Sequence, residues 1–147
     1  MDSCSKLHSS TPVRSLAIVD PRSARRPAAS AFRALGRGAR EDMLQIYSTM
    51  IDALRMLRPV LVAIERHDAD LGKQLRRAAA SVALNLAEGS GSAAGTRTAR
   101  YRTALGSARE TGACLDVAEA LGYCAGVEAA LRGKLAIVIS GLVKLTV

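Results

Sequence analysis

Residues 73–110 read KQLRRAAASVALNLAEGSGSAAGTRTARYRTALGSARE, and this stretch decides the fold. Leading into it, Leu71, Leu75, Ala79, Val82 and Leu86 recur at steps of four and three, which places them on one face of a helix. Ala78, Ser81 and Asn85 lie beside that stripe, so a second strip of the same face is small or polar. After the glycines, Tyr101, Leu105, Ala108, Gly112 and Leu115 repeat the spacing. The first helix is expected to stop at Gly89, and Thr96 or Thr98 to cap the second, which Gly122 ends. Gly106 and Gly112 fall inside the second helix, where glycine costs roughly 1 kcal/mol relative to alanine. Close approach of a neighbouring backbone is expected at both.

Working outward, Met43, Ile46, Met50, Ala53, Leu57, Val60 and Ile64 alternate steps of three and four, the seam of a bundle helix. Tyr47, Ile51, Leu54 and Leu61 widen that face, as expected of a helix touching two neighbours. Pro59 removes one backbone hydrogen bond inside it. His67 is placed near its end as a surface or capping residue, and Asp68 and Asp70 suit the start of the next helix. On the far side, Val127, Leu131, Leu135, Val138, Leu142 and Leu145 mark a fourth helix over about 127–144. The run 135–139 is β-branched enough to pass for a strand, but a single strand has nothing to pair with here. The expectation is all-α: a four-helix bundle over residues 41–147.

The composition agrees. Nearly half the chain (49%) is hydrophobic, with three Tyr, one Phe and no Trp, so the core is aliphatic, as in many helical bundles. Residues 1–40 differ: eight cations stand against two acids, Ser, Pro and Gly are scattered through, and no apolar period is sustained. They read as a disordered basic tail without the apolar core of a secretory signal. Met43, where the seam begins, is an alternative translation start. Cys4, Cys114 and Cys124 form no CxxC, so neither a disulfide framework nor a zinc site is expected, and a reducing cytoplasm suits them. Cys114 falls on the apolar side of its helix. No apolar run approaches the ~20 residues of a membrane span.

Chemistry-bearing residues are few. The two histidines, His8 and His67, support no Ser/His/Asp arrangement, and no Glu-x-x-His pair is present to build a di-metal site. Gly89, Gly91 and Gly95 lack the preceding strand and the lysine of a phosphate loop. The expectation is a protein without catalytic residues, metal or cofactor. Charge is the informative feature. Between residues 73 and 109, seven cations face the single acid Glu88, whereas 41–72 is net negative and 110–147 nearly balanced. Such a field attracts phosphate or acidic partners. Arg76, Arg77, Arg97, Arg100 and Arg102 are the candidate nucleic-acid-binding residues, through backbone phosphates rather than base stacking, since Tyr101 is the only aromatic near them. Asn85, Glu88, Ser107 and Glu110 form a candidate polar layer between the second and third helices, with Arg76, Arg77 or Arg109 as partners for its acids.

The words QLRRA (74–78), NLAEG (85–89) and LGSARE (105–110), in this order and spacing, resemble the four-helix-bundle family encoded in intervening sequences of bacterial 23S ribosomal RNA genes. That family is similar to the accessory variability proteins of diversity-generating retroelements. The resemblance covers about residues 43–146. It implies an antiparallel bundle that assembles as a ring, commonly a homopentamer, with nucleic-acid binding proposed for the family. The chain departs from it at Ala83, where many relatives have a proline, so the second helix is expected to run without that kink. Two functions follow as expectations: an oligomer that binds RNA or DNA, RNA favoured, or acts as accessory to a nucleic-acid enzyme, and a scaffolding oligomer whose arginines pair across subunit contacts.

Overall fold

The computed structural model describes residues 37–147, which form four helices: α1 (Arg37–His67), α2 (Ala69–Gly91), α3 (Ala94–Ala120) and α4 (Ala129–Thr146). No strand occurs among the described residues. α1 packs against α2 and α4, and α3 closes the square by packing against the same two helices. The cross-contacts run in opposite order along each neighbouring pair. On α1 and α2, Glu65 pairs with Arg76 while Met43 and Tyr47 lie against Ala87 and Ser90. On α2 and α3, Gln74 meets Glu110 and Glu88 meets Arg100. On α1 and α4, Asp52 meets Lys134 while Ile46 lies against Gly141. The bundle is therefore antiparallel and up-and-down. α1 takes in residues 37–40, which the sequence pattern assigns to the tail; the remainder of that tail lies outside the described residues.

The seams lie where the periodicity puts them, with one adjustment. Met43, Ile46, Met50, Ala53, Leu57 and Ile64 of α1 are buried, Val60 is half-buried, and the wider strip of Tyr47, Ile51, Leu54 and Leu61 is half-buried against the same core. Leu75, Ala79, Val82 and Leu86 of α2 and Leu131, Leu135, Val138 and Leu142 of α4 complete three walls. On α3 the buried line passes through Tyr101, Ala104, Ala108, Thr111, Leu115 and Ala118, so Leu105 and Gly112 stand at its margin. Small residues dominate this line because α2 and α3 approach through Ala78, Ala79, Ala104 and Ala108, all buried. Cys114 is buried, and its thiol pKa is raised by that burial.

The connections show which local signals hold. Asp68 is the N-cap of α2: its side chain accepts from the backbone N–H of Asp70 and Leu71 at 3.0 and 2.9 Å. His67 is exposed, and its ring stacks on Tyr123 with centroids 5.4 Å apart. α2 runs unbroken past Ala83, which is buried. It does not stop at Gly89. Ser90 and Ser92 satisfy the carbonyls of Ala87 and Glu88, and the helix continues to Gly91. Nor does Thr96 or Thr98 cap α3; the N-cap is Ala93, without a side-chain bond, and Thr98 bonds back to the Ala94 carbonyl. At the other end Gly122 adopts φ +70°, the left-handed stop that favours glycine. The α3–α4 loop is then latched. Arg132 reaches both Asp116 and Glu119, and Glu119 also accepts the Val127 backbone N–H. That N–H first, and Arg132 second, hold the Glu119 carboxyl below its ordinary pKa.

The glycines of closest approach are not those expected. A Cβ at Gly106 or Gly112 would meet nothing within 4 Å, because both look away from α2. A Cβ at Gly89 would instead enter the edge of the Tyr101 ring, one at Gly72 the Glu65 stem, and one at Gly141 the Ile46 side chain. Gly72, Gly89 and Gly141 are thus the positions where a large side chain crosses from a neighbouring helix.

Candidate functional site

The five arginines singled out by the sequence do not form one cluster. Arg76 turns toward α1 and pairs with Glu65. Arg77, one residue on, is rotated by roughly 100° and stands on the other flank of α2, exposed and without an ion pair. Arg97 folds back so that its guanidinium donates to the Ser92 carbonyl at 2.9 Å. Arg100 lies between the helices: its Nε meets Glu88 at 3.0 Å, and a terminal nitrogen approaches Asn85 Oδ1 at 3.4 Å. Arg102 is exposed and unpaired. Helical geometry separates the two groups. Glu88, the partner of Arg100, is eleven residues beyond Arg77 on α2, about 17 Å along the axis.

Arg109 joins this set, although spacing alone did not single it out for phosphate contact. It is exposed and without an ion pair. Seven residues from Arg102, it lies within roughly 20° of it around α3 and about 10 Å further along. The seven-residue interval was the available signal. Among the described residues, Arg77, Arg102 and Arg109 are thus the exposed cations of α2 and α3 without an acid partner, with Arg77 and Arg109 toward the same end of the bundle.

Of the four residues expected in the polar layer, Asn85 and Ser107 meet through Ser81, whereas Glu88 and Glu110 are exposed and held by other partners than those expected. Ser81 and Ser107 share a hydroxyl–hydroxyl bond of 2.8 Å across α2 and α3. Asn85, buried, donates to the Ser81 carbonyl at 2.9 Å and its hydroxyl at 3.1 Å. Glu88 is held by Arg100, not by Arg76, Arg77 or Arg109, and Glu110 accepts from the Gln74 amide at 3.1 Å. Backbone register explains the exchange: antiparallel packing puts Glu88 beside the start of α3 and Glu110 beside the start of α2. Arg97 Nε and Tyr101 Oη, four residues apart on α3, are buried without a hydrogen-bond partner among the described residues. Burial raises the Tyr101 pKa, with the Arg97 charge opposing.

Above the serine pair lies an open groove of ≈ 510 Å³ lined by Asp70, Lys73, Gln74, Arg77, Ala78, Ser81, Ser107 and Glu110. A second groove, of ≈ 370 Å³, runs between α1 and α4 over Ile46, Ala136, Ile137, Gly141 and Leu145, with Ile137 55% exposed. No cluster of His, Cys, Asp or Glu among the described residues has the grouping to hold a metal ion, and no described helix is long and apolar enough to cross a membrane.

The four-helix arrangement and the α2–α3 words agree with one family model, that of the 23S rRNA-intervening sequence protein, which matches residues 42–142. The chain belongs to that family. The match begins just inside α1 and ends within α4, so it spans the bundle and leaves out the basic segment before it. The specific words fall where α2 and α3 touch: QLRRA holds Gln74 and Arg77, NLAEG holds Asn85, Glu88 and Gly89, and LGSARE holds Ser107 and Glu110. No curated protein and no solved structure matches the chain.

Proposed function

We propose that this family member is a non-enzymatic, oligomeric nucleic-acid-binding protein with RNA as the favoured ligand. The carrying observation is that Arg77, Arg102 and Arg109 are exposed on α2 and α3 with no acid partner among the described residues. A guanidinium presents a planar fork to phosphate oxygens, which suits contact with a polyanion. Arg76, Arg97 and Arg100 contribute less directly, since each already holds an oxygen of its own chain. The chain as a whole carries +8, and the basic segment before α1 adds sequence-independent attraction.

Assembly belongs to the same proposal. A homopentameric ring repeats the free arginines around one axis, and the groove beside Ile137, with Ile46, Ala136 and Leu145 rimmed by Asp42, Gln45, Ser140 and Lys144, is suited to a contact between copies. Kinship with the accessory variability proteins of diversity-generating retroelements would set such a ring beside a nucleic-acid enzyme. Light scattering at micromolar concentration is expected to give about five chain masses, and a monomer overturns the ring.

The RNA test compares the full chain with an Arg77→Ala/Arg102→Ala/Arg109→Ala variant on labelled poly(U) across a salt series. For single strands each phosphate contact contributes about 0.7 to the log–log salt slope, so the variant should lose about two units. An unchanged slope hands the function to the second reading, a scaffold without direct nucleic-acid contact. That reading is favoured by the intrachain engagement of Arg76, Arg97 and Arg100.

A further inference from the structure

The groove between α2 and α3 sets an acid, Glu110, in the same lining as Arg77, one of the proposed phosphate contacts. Four charged groups line it: Lys73 and Arg77 against Asp70 and Glu110. Lys73 and Asp70 neutralise each other at 3.1 Å. The remaining two are left over. Arg77 has no ion pair, and Glu110 is held only by the neutral Gln74 amide, so an unneutralised cation and an unneutralised carboxylate face one space. Inside the groove Glu110 weakens the hold of Arg77 on a phosphate, and Arg77 opposes a bare cation. An apolar ligand finds little, since Ala78 is the one apolar residue of the lining. The groove calls for a ligand that presents N–H donors and an acceptor side by side.

We infer that this groove takes a guanine base of single-stranded RNA, with Glu110 and Arg77 reading its edge. Guanine has adjacent N1–H and N2–H donors, which match the two oxygens of a carboxylate, and next to them O6, which accepts from a guanidinium. Adenine, cytosine and uracil do not offer two neighbouring donors on that edge. The floor fits a planar ring. Ala78 and the Ser81–Ser107 pair are short side chains, and the serine hydroxyls are oriented from beneath by Asn85. Splayed bases hydrogen-bonded on their Watson–Crick edges are the usual way single-stranded RNA is told apart by sequence. A volume of ≈ 510 Å³ lies within the range of nucleotide-sized sites. The inference rests on the reading of this chain as an RNA binder, and it adds a base preference to a phosphate-driven affinity.

The experiment titrates the full chain with guanosine, inosine, adenosine and uridine 5′-monophosphates by calorimetry, with poly(U) binding measured beside it. Inosine lacks only the N2 amine. Guanosine monophosphate should bind at least fivefold more tightly than the inosine form and tenfold more tightly than the other two. Glu110→Gln, at an exposed position, should erase the guanosine–inosine difference while poly(U) binding is not weakened. Arg77→Gln, a second variant, should weaken guanosine and inosine monophosphates alike, because both keep O6. Equal binding of all four nucleotides, or a guanosine preference that survives Glu110→Gln, overturns the guanine site. The two proposals fail separately. Poly(U) binding without guanosine preference leaves the phosphate contacts standing, whereas guanosine preference without poly(U) binding leaves only the groove.

Discussion

Replacing Gly89 by alanine should destabilise the bundle although it removes a helix-breaking residue. The new Cβ would lie 2.7 Å from Cδ1 of Tyr101, closer still to its Cε1, and 3.3 Å from the Arg100 Cβ. The Tyr101 ring is 1% exposed and packed in the core, so it has nowhere to swing. Overpacking of this kind costs about 1–3 kcal/mol, whereas the propensity gain of alanine over glycine is at most about 1 kcal/mol and smaller near a helix end. The expected net loss is about 1–2 kcal/mol, or a fall in Tm of roughly 4–12 °C for a domain of this size. Gly106→Ala is the control: its Cβ meets nothing, so propensity alone acts and Tm should rise by a few degrees. Thermal unfolding followed by far-ultraviolet circular dichroism at one fixed protein concentration measures both. A double-mutant cycle with Tyr101→Leu then isolates the cause, because removing the ring should relieve most of the Gly89→Ala penalty. Gly89→Ala melting at or above the parent would refute the argument that the ring occupies that space.

Two further outcomes follow from the same contacts. The Glu119 carboxyl is held below its ordinary pKa by the Val127 N–H and Arg132, and Asp52 is held down by Arg55 and Lys134. A depressed folded pKa contributes stability that is present above the unfolded value, near 4.3 for Glu, and is lost as pH falls through the folded value. Urea midpoints should therefore drop below about pH 5, with a shallower drop in Glu119→Gln; an identical pH profile in that variant counts against the latch. Asn85→Ala removes the donor to Ser81 from a buried site and should destabilise by about 1–3 kcal/mol in urea unfolding, whereas Leu84→Ala, at a side chain 61% exposed, should change the midpoint little.

The sequence by itself determined the number of helices, their spans to within a turn except at the start of α1, and nearly every residue of three seams. Apolar side chains at steps of three and four have one low-energy arrangement, a helix with its stripe turned inward, and four such stripes joined by short turns close as an antiparallel bundle. The Asp68 cap and the Gly122 stop were legible for the same reason: each acts within one turn of backbone. What depended on neighbouring helices was not legible. Whether a glycine marks a helix end, a close approach or nothing depends on the side chain that crosses it. Gly89 therefore proved to be the seat of Tyr101, while Gly106 and Gly112 face open space. The arginines divide likewise. Their count and sign were visible in the chain, but Arg76, Arg97 and Arg100 meet oxygens brought by another helix or a turn, and Arg77, Arg102 and Arg109 meet none. A residue's charge is written in the sequence; whether that charge is left unneutralised is a distance between helices, and only the tertiary structure sets it.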